Sequence, residues 1–128
     1  MSEKFSDFDL DYANGKLGED MVDAVVKGMA SGTIEVKRDM KWYKTGNIYI
    51  ETACYYQKSG MWEDSGLTVT KATHWSLVLG DGVLTVPTDL LRRVVEVDGT
   101  PISTDIQPNP SRGFLIRPES ILQALKYA

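Results

Sequence analysis

The sequence contains very little of the chemistry that builds disulfide frameworks or zinc sites. Among its 128 residues there is one cysteine, Cys54, and one histidine, His74. A single cysteine forms no internal disulfide and suits a reducing cytosol, so we expect Cys54 to be a small core residue rather than a nucleophile. A histidine without a second histidine or a cysteine partner disfavours zinc. We interpret His74 as structural or partly exposed, with a general-base role as the alternative.

Long apolar runs and strong basic charge are also missing. No segment approaches the roughly 20 apolar residues that cross a bilayer. The amino terminus has no basic segment followed by an apolar one, so we expect no secretory signal and a cytoplasmic protein. Fourteen Lys and Arg against 18 Asp and Glu give a net charge of −4, which argues against a generic nucleic-acid binder. The composition, 42% hydrophobic and 25% charged, is typical of a globular domain.

The pattern of apolar residues and turn signals predicts an α/β fold, a mixed sheet flanked by helices. Residues 1–14 are predicted to be a polar arm, and residues 15–128 a single domain. The predicted elements are a helix at 17–30, a hairpin within 33–55, a loop at 57–65, a short helix at 69–74, strands at 75–79 and 83–86, a helix at 89–95, a loop at 103–111, a strand at 114–116 and a helix at 119–126.

The segment Thr33–Tyr55 carries most of the functional signal. Its first half alternates Ile34 and Val36 with charged residues, and its second half repeats the alternation. This period of two predicts two strands, each with an apolar face and a face that carries charge. Thr45-Gly46-Asn47 between them predicts the turn of a β-hairpin.

The register of this hairpin predicts a metal site. If the strands pair about Thr45, Asp39 lies opposite Glu51 with Cβ atoms about 4.5–5.5 Å apart. Two carboxylates this close repel each other unless a cation lies between them, and Mg²⁺ prefers such ligands. Lys37 on the same face would stabilise an oxyanion or orient a water, and Glu35 would orient Lys37 or bind a second ion. The alternative is a solvated strand face with mixed charge and no site.

The tip of the predicted hairpin interleaves aromatic and basic residues, Met40-Lys41-Trp42-Tyr43-Lys44. Lys41, Trp42 and Lys44 suit stacking on unpaired bases or gripping a nucleic-acid backbone. The alternative is that Trp42 and Tyr43 pack on the domain or on a second subunit, and a homodimer is then plausible. The lysines also form a positive rim through which phosphate can approach an acidic centre.

Three blocks, in this order, resemble the small phage- and prophage-encoded members of the PD-(D/E)xK nuclease superfamily. They are Glu35-Val36-Lys37-Arg38-Asp39, Thr45-Gly46-Asn47-Ile48-Tyr49-Ile50-Glu51 and Ser65-Gly66-Leu67-Thr68-Val69-Thr70-Lys71-Ala72-Thr73-His74-Trp75. The resemblance covers residues 15–125 in the order of elements and is specific between Thr33 and Trp75. It implies a restriction-endonuclease-like core and Mg²⁺-dependent hydrolysis of DNA, with Mn²⁺ as a substitute metal, by a phage protein in the host cytoplasm.

The resemblance also assigns further residues to the site. An acidic residue on the first helix can join the metal in this superfamily, and Glu19 is the best match, with Asp20 second. The alternative for Glu19 is a favourable charge near the helix amino terminus. Backbone amides near Ser65 and the side chain of Lys71 would contact phosphate.

One position departs from the superfamily pattern. The usual lysine, two residues after the second carboxylate, is Ala53 here, and Lys37 lies across the predicted ladder from it. The hypothesis is therefore a Mg²⁺-dependent DNA nuclease in which Asp39 and Glu51, with Glu19, hold the metal, and Lys37 acts on the attacking water. The alternatives are a nuclease-fold protein with weak or no activity that binds DNA or protein, and a structural interaction domain without a site.

Overall fold

The structure, a computed structural model, describes residues 3–106 and 109–127, with side chains from Tyr12 onward. The chain separates into two compact units, Met1–Ile34 and Glu35–Ala128, a boundary that differs from the one predicted after residue 14. The elements in chain order are α1 (Glu3–Ser31), β1 (Ile34–Arg38), α2 (Trp42–Thr45), β2 (Ile48–Tyr56), β3 (Met61–Asp64), a 3₁₀ turn (Gly66–Thr68), β4 (His74–Leu79), β5 (Gly82–Pro87), α3 (Thr88–Asp98), β6 (Thr100–Thr104), β7 (Ser111–Ile116) and α4 (Pro118–Lys126).

The first unit is the long helix α1. It begins at Glu3, so residues 3–14, predicted as a polar arm, are helical and continuous with the predicted first helix. The segment contains no proline, and its early acidic residues suit a helix amino terminus, which explains the extension. The ion pairs Lys16–Asp20 and Lys27–Asp23, at 3.3 and 2.8 Å, connect successive turns.

The second unit contains two sheets, with strand orders β1-β4-β5 and β3-β2-β7-β6. β1 and β2 lie in different sheets, so the predicted hairpin and its register are wrong. A helical turn, α2, separates the two strands and ends at Gly46, whose φ of 73° is left-handed and favours glycine. β2 pairs with β7 instead, where Glu51 lies opposite Gly113 and Ala53 lies opposite Arg112.

Several other predicted elements match the structure, and the mismatches have physical causes. The strands β4 and β5 and the helices α3 and α4 are confirmed within a few residues, and Pro118 opens α4. The predicted helix at 69–74 is wrong, because only a 3₁₀ turn and an irregular segment precede β4. β3 lies within the segment predicted as a loop at 57–65, and β6 overlaps the loop predicted at 103–111. β6 contains Pro101, which has no backbone N–H to donate, and an edge strand accepts it because one side of the strand has no neighbour to pair with.

The hydrophobic core connects both sheets with α3 and α4. Ile48 and Ile50 point from β2 into this core, together with Leu91 of α3 and Ile121 of α4, all of them at most 1% exposed. Strand side chains alternate, so Tyr49 and the residues that share its face point away from the core. The α/β class is therefore confirmed, and the outer face of β2 is free to contribute to a site.

Candidate functional site

A cleft of about 710 Å³ opens in the second unit, and residues of both sheets line it. It brings together Lys37, Asp39 and Glu51, the residues on which the sequence argument depended. They reach the cleft from two different sheets rather than from one hairpin. The predicted register, with Asp39 directly opposite Glu51, is absent, because Glu51 lies opposite Gly113.

Asp39 follows β1, and its carboxylate is fixed by three backbone N–H groups. Oδ1 accepts hydrogen bonds from Lys41 and Trp42, both at 2.9 Å, and Oδ2 accepts one from Tyr49 at 2.8 Å. The first two bonds begin α2 as an N-cap does. A carboxylate offers about four lone-pair sites, so Oδ2 retains one for a further contact. Asp39 is therefore a structural anchor that still has one acceptor site.

Glu51 is oriented by the Ser65-Gly66 segment. The Ser65 hydroxyl is buried and donates a hydrogen bond to Glu51 Oε2 at 2.8 Å. The Ser65 N–H donates to the carbonyl of Thr52 at 3.0 Å, so this one of the amides near Ser65 already has an acceptor within the protein. Gly66 has a φ of 51°, and a Cβ there would overlap the carbonyl oxygen of Glu51. This segment therefore holds the carboxylate rather than a substrate.

Lys37 lies beside Glu35 and Trp75. Its ammonium is 3.2 Å from Glu35 Oε1 and 5.9 Å from the centre of the Trp75 ring, and about half of the Lys37 side chain is exposed. The sequence analysis predicts that Glu35 orients Lys37, and this role requires such a contact between the two side chains. Trp75 also lines the cleft, is 1% exposed, and carries an indole N–H with no acceptor among the described residues. This nitrogen is itself covered by protein atoms, so it does not open onto the cleft.

The predicted group of three carboxylates is not found. Glu19 is an exposed residue of α1 in the first unit. Among the side chains that the structure describes, residues 12–106 and 109–127, no group of three or more Asp, Glu, His or Cys is arranged to hold a metal ion. Asp39 and Glu51 in the cleft are the acidic pair that remains from the hypothesis.

The predicted nucleic-acid contacts have separate outcomes. Trp42 is partly buried and packs against the hydrophobic core, as the alternative predicts for it, whereas Tyr43 is exposed. Lys41 lines the cleft. Lys44 is exposed, with its ammonium 5.7 Å from the Tyr43 ring.

Two further residues of the hypothesis lie away from the cleft. Lys71 is exposed before β4 and is not part of the cleft lining. His74 is half-buried beside Thr73 and also lies outside the cleft lining, as a structural role requires.

The cleft also contains a chain of hydroxyl groups that the sequence did not predict. Tyr49 Oη lies 2.7 Å from Ser111 Oγ, which lies 3.0 Å from Thr104 Oγ1. Burial raises the pKa of Tyr49, and the charge of Glu51 adds to this against the opposing hydrogen bond to Ser111. The alternation of β2 indicates that Tyr49 shares a face with Glu51, but Ser111 and Thr104 join them only through strand pairing.

Cys54 also lines the cleft and is buried, which confirms its prediction as a core residue. Burial raises the pKa of its thiol, and the charge of Glu51 raises it further. The neutral thiol is a poor nucleophile, so Cys54 contributes to packing rather than to chemistry.

Comparisons of the chain with protein-family models, with curated proteins and with solved structures find no match. In the part of the chain that the structure describes, no helix is both long and apolar enough to cross a bilayer. The functional argument therefore depends on the geometry of the cleft.

Proposed function

We propose that the protein is a metal-dependent nuclease with a restriction-endonuclease-like core that hydrolyses DNA phosphodiester bonds. The observation that carries the proposal is the convergence of Lys37, Asp39 and Glu51 on one cleft from separate strands and sheets. Two hard oxygen ligands with a nearby amine are the groups that metal-assisted phosphodiester hydrolysis uses.

The residues of the cleft fit a hard divalent ion. Asp39, through the remaining lone pair of Oδ2, and Glu51 would hold Mg²⁺ or Mn²⁺. The bound ion would supply Lewis acidity and a nucleophilic hydroxide. The Lys37 ammonium would stabilise negative charge at phosphorus, and Glu35 holds that ammonium at 3.2 Å. Glu51 in turn keeps its orientation through the hydrogen bond from Ser65.

The local charge supports an anionic substrate despite the net charge of −4. Three basic residues line the cleft, Lys37, Arg38 and Lys41, against the two carboxylates of Asp39 and Glu51. A divalent ion would make the cleft more positive still. Phosphate is then attracted to the site by the field of its immediate surroundings rather than by the whole protein.

The sharpest test is a cleavage assay on single-stranded, duplex and branched DNA with Mg²⁺ or Mn²⁺, using Glu51→Gln. The amide oxygen of Gln can still accept the Ser65 hydrogen bond, so the fold is kept while the charge that binds metal is removed. We expect cleavage by the parent and a loss of about 100-fold or more in the variant. Glu63→Gln, on exposed β3 and outside the cleft lining, is the matched control.

Lys37→Met tests the role of the Lys37 ammonium in stabilising charge at phosphorus. Lys58→Met, in the exposed segment after β2, is its control. We expect cleavage to fall in Lys37→Met alone. If Glu51→Gln and Lys37→Met both cut DNA as fast as the parent, the proposed site is wrong. Asp39→Ala is a weaker test, because it also removes three structural hydrogen bonds.

The second candidate function is a binding factor without catalytic activity, acting on DNA or on protein. Two observations favour it: the Asp39 carboxylate already accepts three hydrogen bonds, and Ala53 occupies the position of the superfamily lysine. Exposed apolar side chains on α1 would suit a protein partner or a homodimer: Leu17, Met21, Val22, Val26 and Met29.

Light scattering during size-exclusion chromatography tests the protein-binding version. A homodimer that Leu17→Glu converts to a monomer, and that Asp20→Asn leaves intact, would support pairing through α1. A monomeric parent at tens of micromolar would argue against a homodimer. DNA binding without metal and without cleavage would favour the binding factor over the nuclease.

A further inference from the structure

The cleft has a second region beside its carboxylates. The hydroxyls of Tyr49, Ser111 and Thr104 form a continuous chain there, with neighbouring oxygens 2.7 and 3.0 Å apart. Each hydroxyl has one proton, and two protons are used within the chain. One of the three hydroxyls therefore keeps a proton that the chain does not use, and the oxygens keep acceptor sites.

The surroundings of these hydroxyls are mostly apolar. Side chains from three segments provide this lining: Met40, Ile102, Ile106 and Leu115. Gly113 lies beneath the Tyr49 ring, and a Cβ at that position would approach the Tyr49 Cε1 atom to 2.8 Å. The absence of a side chain at Gly113 thus lets the ring lie across the sheet toward Ser111. An apolar region with a few polar groups that donate and accept hydrogen bonds is typical of a site for a small organic ligand.

The hydroxyls and the carboxylates are close enough to contact one ligand. Tyr49 and Glu51 are two residues apart on the same face of β2, which is about 6–7 Å along a strand. The negative charge of Glu51 also raises the pKa of Tyr49, which requires proximity. This spacing is comparable with the distance between the base and the phosphate of one nucleotide.

We propose that this region of the cleft receives a single unpaired nucleobase of the substrate while its phosphate lies at Asp39 and Glu51. The position of the phosphate in this inference rests on the proposed function. The inference adds a substrate class, which is nucleic acid with an unpaired nucleotide. The cleft, about 710 Å³, is of the size that holds a small ligand. A base inside a duplex has its hydrogen-bonding edge occupied by its partner, so it must leave the stack to reach the hydroxyl chain.

The Lys37 ammonium supports the placement of the phosphate end. It lies 5.9 Å from the centre of the Trp75 ring, and both residues line the cleft. Lys37, near the same ring, would then lie over the sugar–phosphate side of the nucleotide.

Calorimetry without metal tests the base site directly. The probes are thymidine and deoxyadenosine 5′-monophosphates, compared with deoxyribose 5-phosphate, which has no base. We expect at least one nucleotide to bind 10-fold or more tightly than deoxyribose phosphate. Tyr49→Phe and Thr104→Val should each reduce that ratio several-fold, whereas Tyr43→Phe, on exposed α2, should not. Equal binding of all three probes, or equal ratios in all variants, overturns the proposal.

Cleavage separates the failure of this inference from the failure of the proposed function. With Mg²⁺, the parent should cut a duplex with one unpaired nucleotide, or single-stranded DNA, at least 10-fold faster than a perfect duplex. Cleavage without that preference overturns the base site and leaves the nuclease. Base-dependent nucleotide binding without any cleavage supports the base site and rejects the nuclease.

Discussion

The backbone N–H of Tyr49 donates a hydrogen bond of 2.8 Å to the Asp39 carboxylate, which joins the end of β1 to the part of β2 that precedes its pairing with β3. The two strands belong to different sheets, so this bond replaces a ladder between them. It also explains how residues of β1 and β2 come to line one cleft. The Asp39 carboxylate, which the sequence suggests as a metal ligand, therefore also stabilises the fold.

Asp39→Ala should lower the free energy of unfolding by about 2–4 kcal/mol, because three backbone donors lose a charged acceptor and α2 loses its cap. Urea unfolding monitored by tryptophan fluorescence measures the change. Asp81→Ala, in the exposed turn between β4 and β5, is the control and should stay within about 0.5 kcal/mol of the parent. An equal effect of the two substitutions would show that the Asp39 hydrogen bonds contribute little.

Gly66→Ala should destabilise the protein by about 2–4 kcal/mol, because φ is positive there and the added Cβ would overlap the Glu51 carbonyl oxygen. The same substitution should lower the proposed activity, since Glu51 must shift. Gly18→Ala is a matched control: a Cβ there meets open space within a helix, so its stability should be unchanged or higher. Thermal unfolding compares the two, and a neutral Gly66→Ala would contradict the close contact.

Ser65→Ala should cost about 1 kcal/mol in stability and should raise the metal concentration needed for half-maximal cleavage. The Ser65 hydroxyl acts through Glu51, so it is a positioning residue, and Ser65→Thr should restore part of the metal affinity. Ser59→Ala, in an exposed turn, should change neither quantity. A metal requirement that Ser65→Ala leaves unaltered would refute this role.

The stability of the protein should fall at alkaline pH, in part because of Tyr49. Burial, with the charge of Glu51, raises the pKa of folded Tyr49 above the value of about 10 expected in the unfolded chain. The folded state therefore holds the proton more tightly. This stabilisation is complete below pH of about 10 and is lost as the pH rises through the folded pKa.

Urea unfolding between pH of about 9 and 11 measures this effect, and Tyr49→Phe should show a shallower decline than the parent. Tyr43→Phe, an exposed tyrosine on α2, should follow the parent curve. The raised pKa of Cys54 also lowers the stability of the folded state as the pH rises, and it does so at a lower pH than Tyr49 because a thiol has the lower ordinary pKa. The comparison is therefore made in a Cys54→Ala background. Identical curves for the two tyrosine variants would rule out the contribution of Tyr49.

Local sequence predicts the elements whose signal is complete within a short window. The alternating residues of β4 and β5 and the turn at Gly80 identify a hairpin, and Pro118 identifies the start of α4. The same alternation predicts that Tyr49 and Glu51 share a face of β2. By contrast, the composition of residues 61–64 predicts a loop. β3 forms there because Trp62 pairs with Tyr55 of β2, and the local sequence does not contain this partner.

The amino-acid sequence by itself determined the α/β class and the acidic and basic residues of the candidate site. The tertiary structure decided which strands are neighbours. A period of two specifies the face on which a side chain lies but not the strand beside it, and burial of the shared core selects that strand. β2 therefore pairs with β7 instead of β1, and Tyr49 meets Ser111, 62 residues away along the chain.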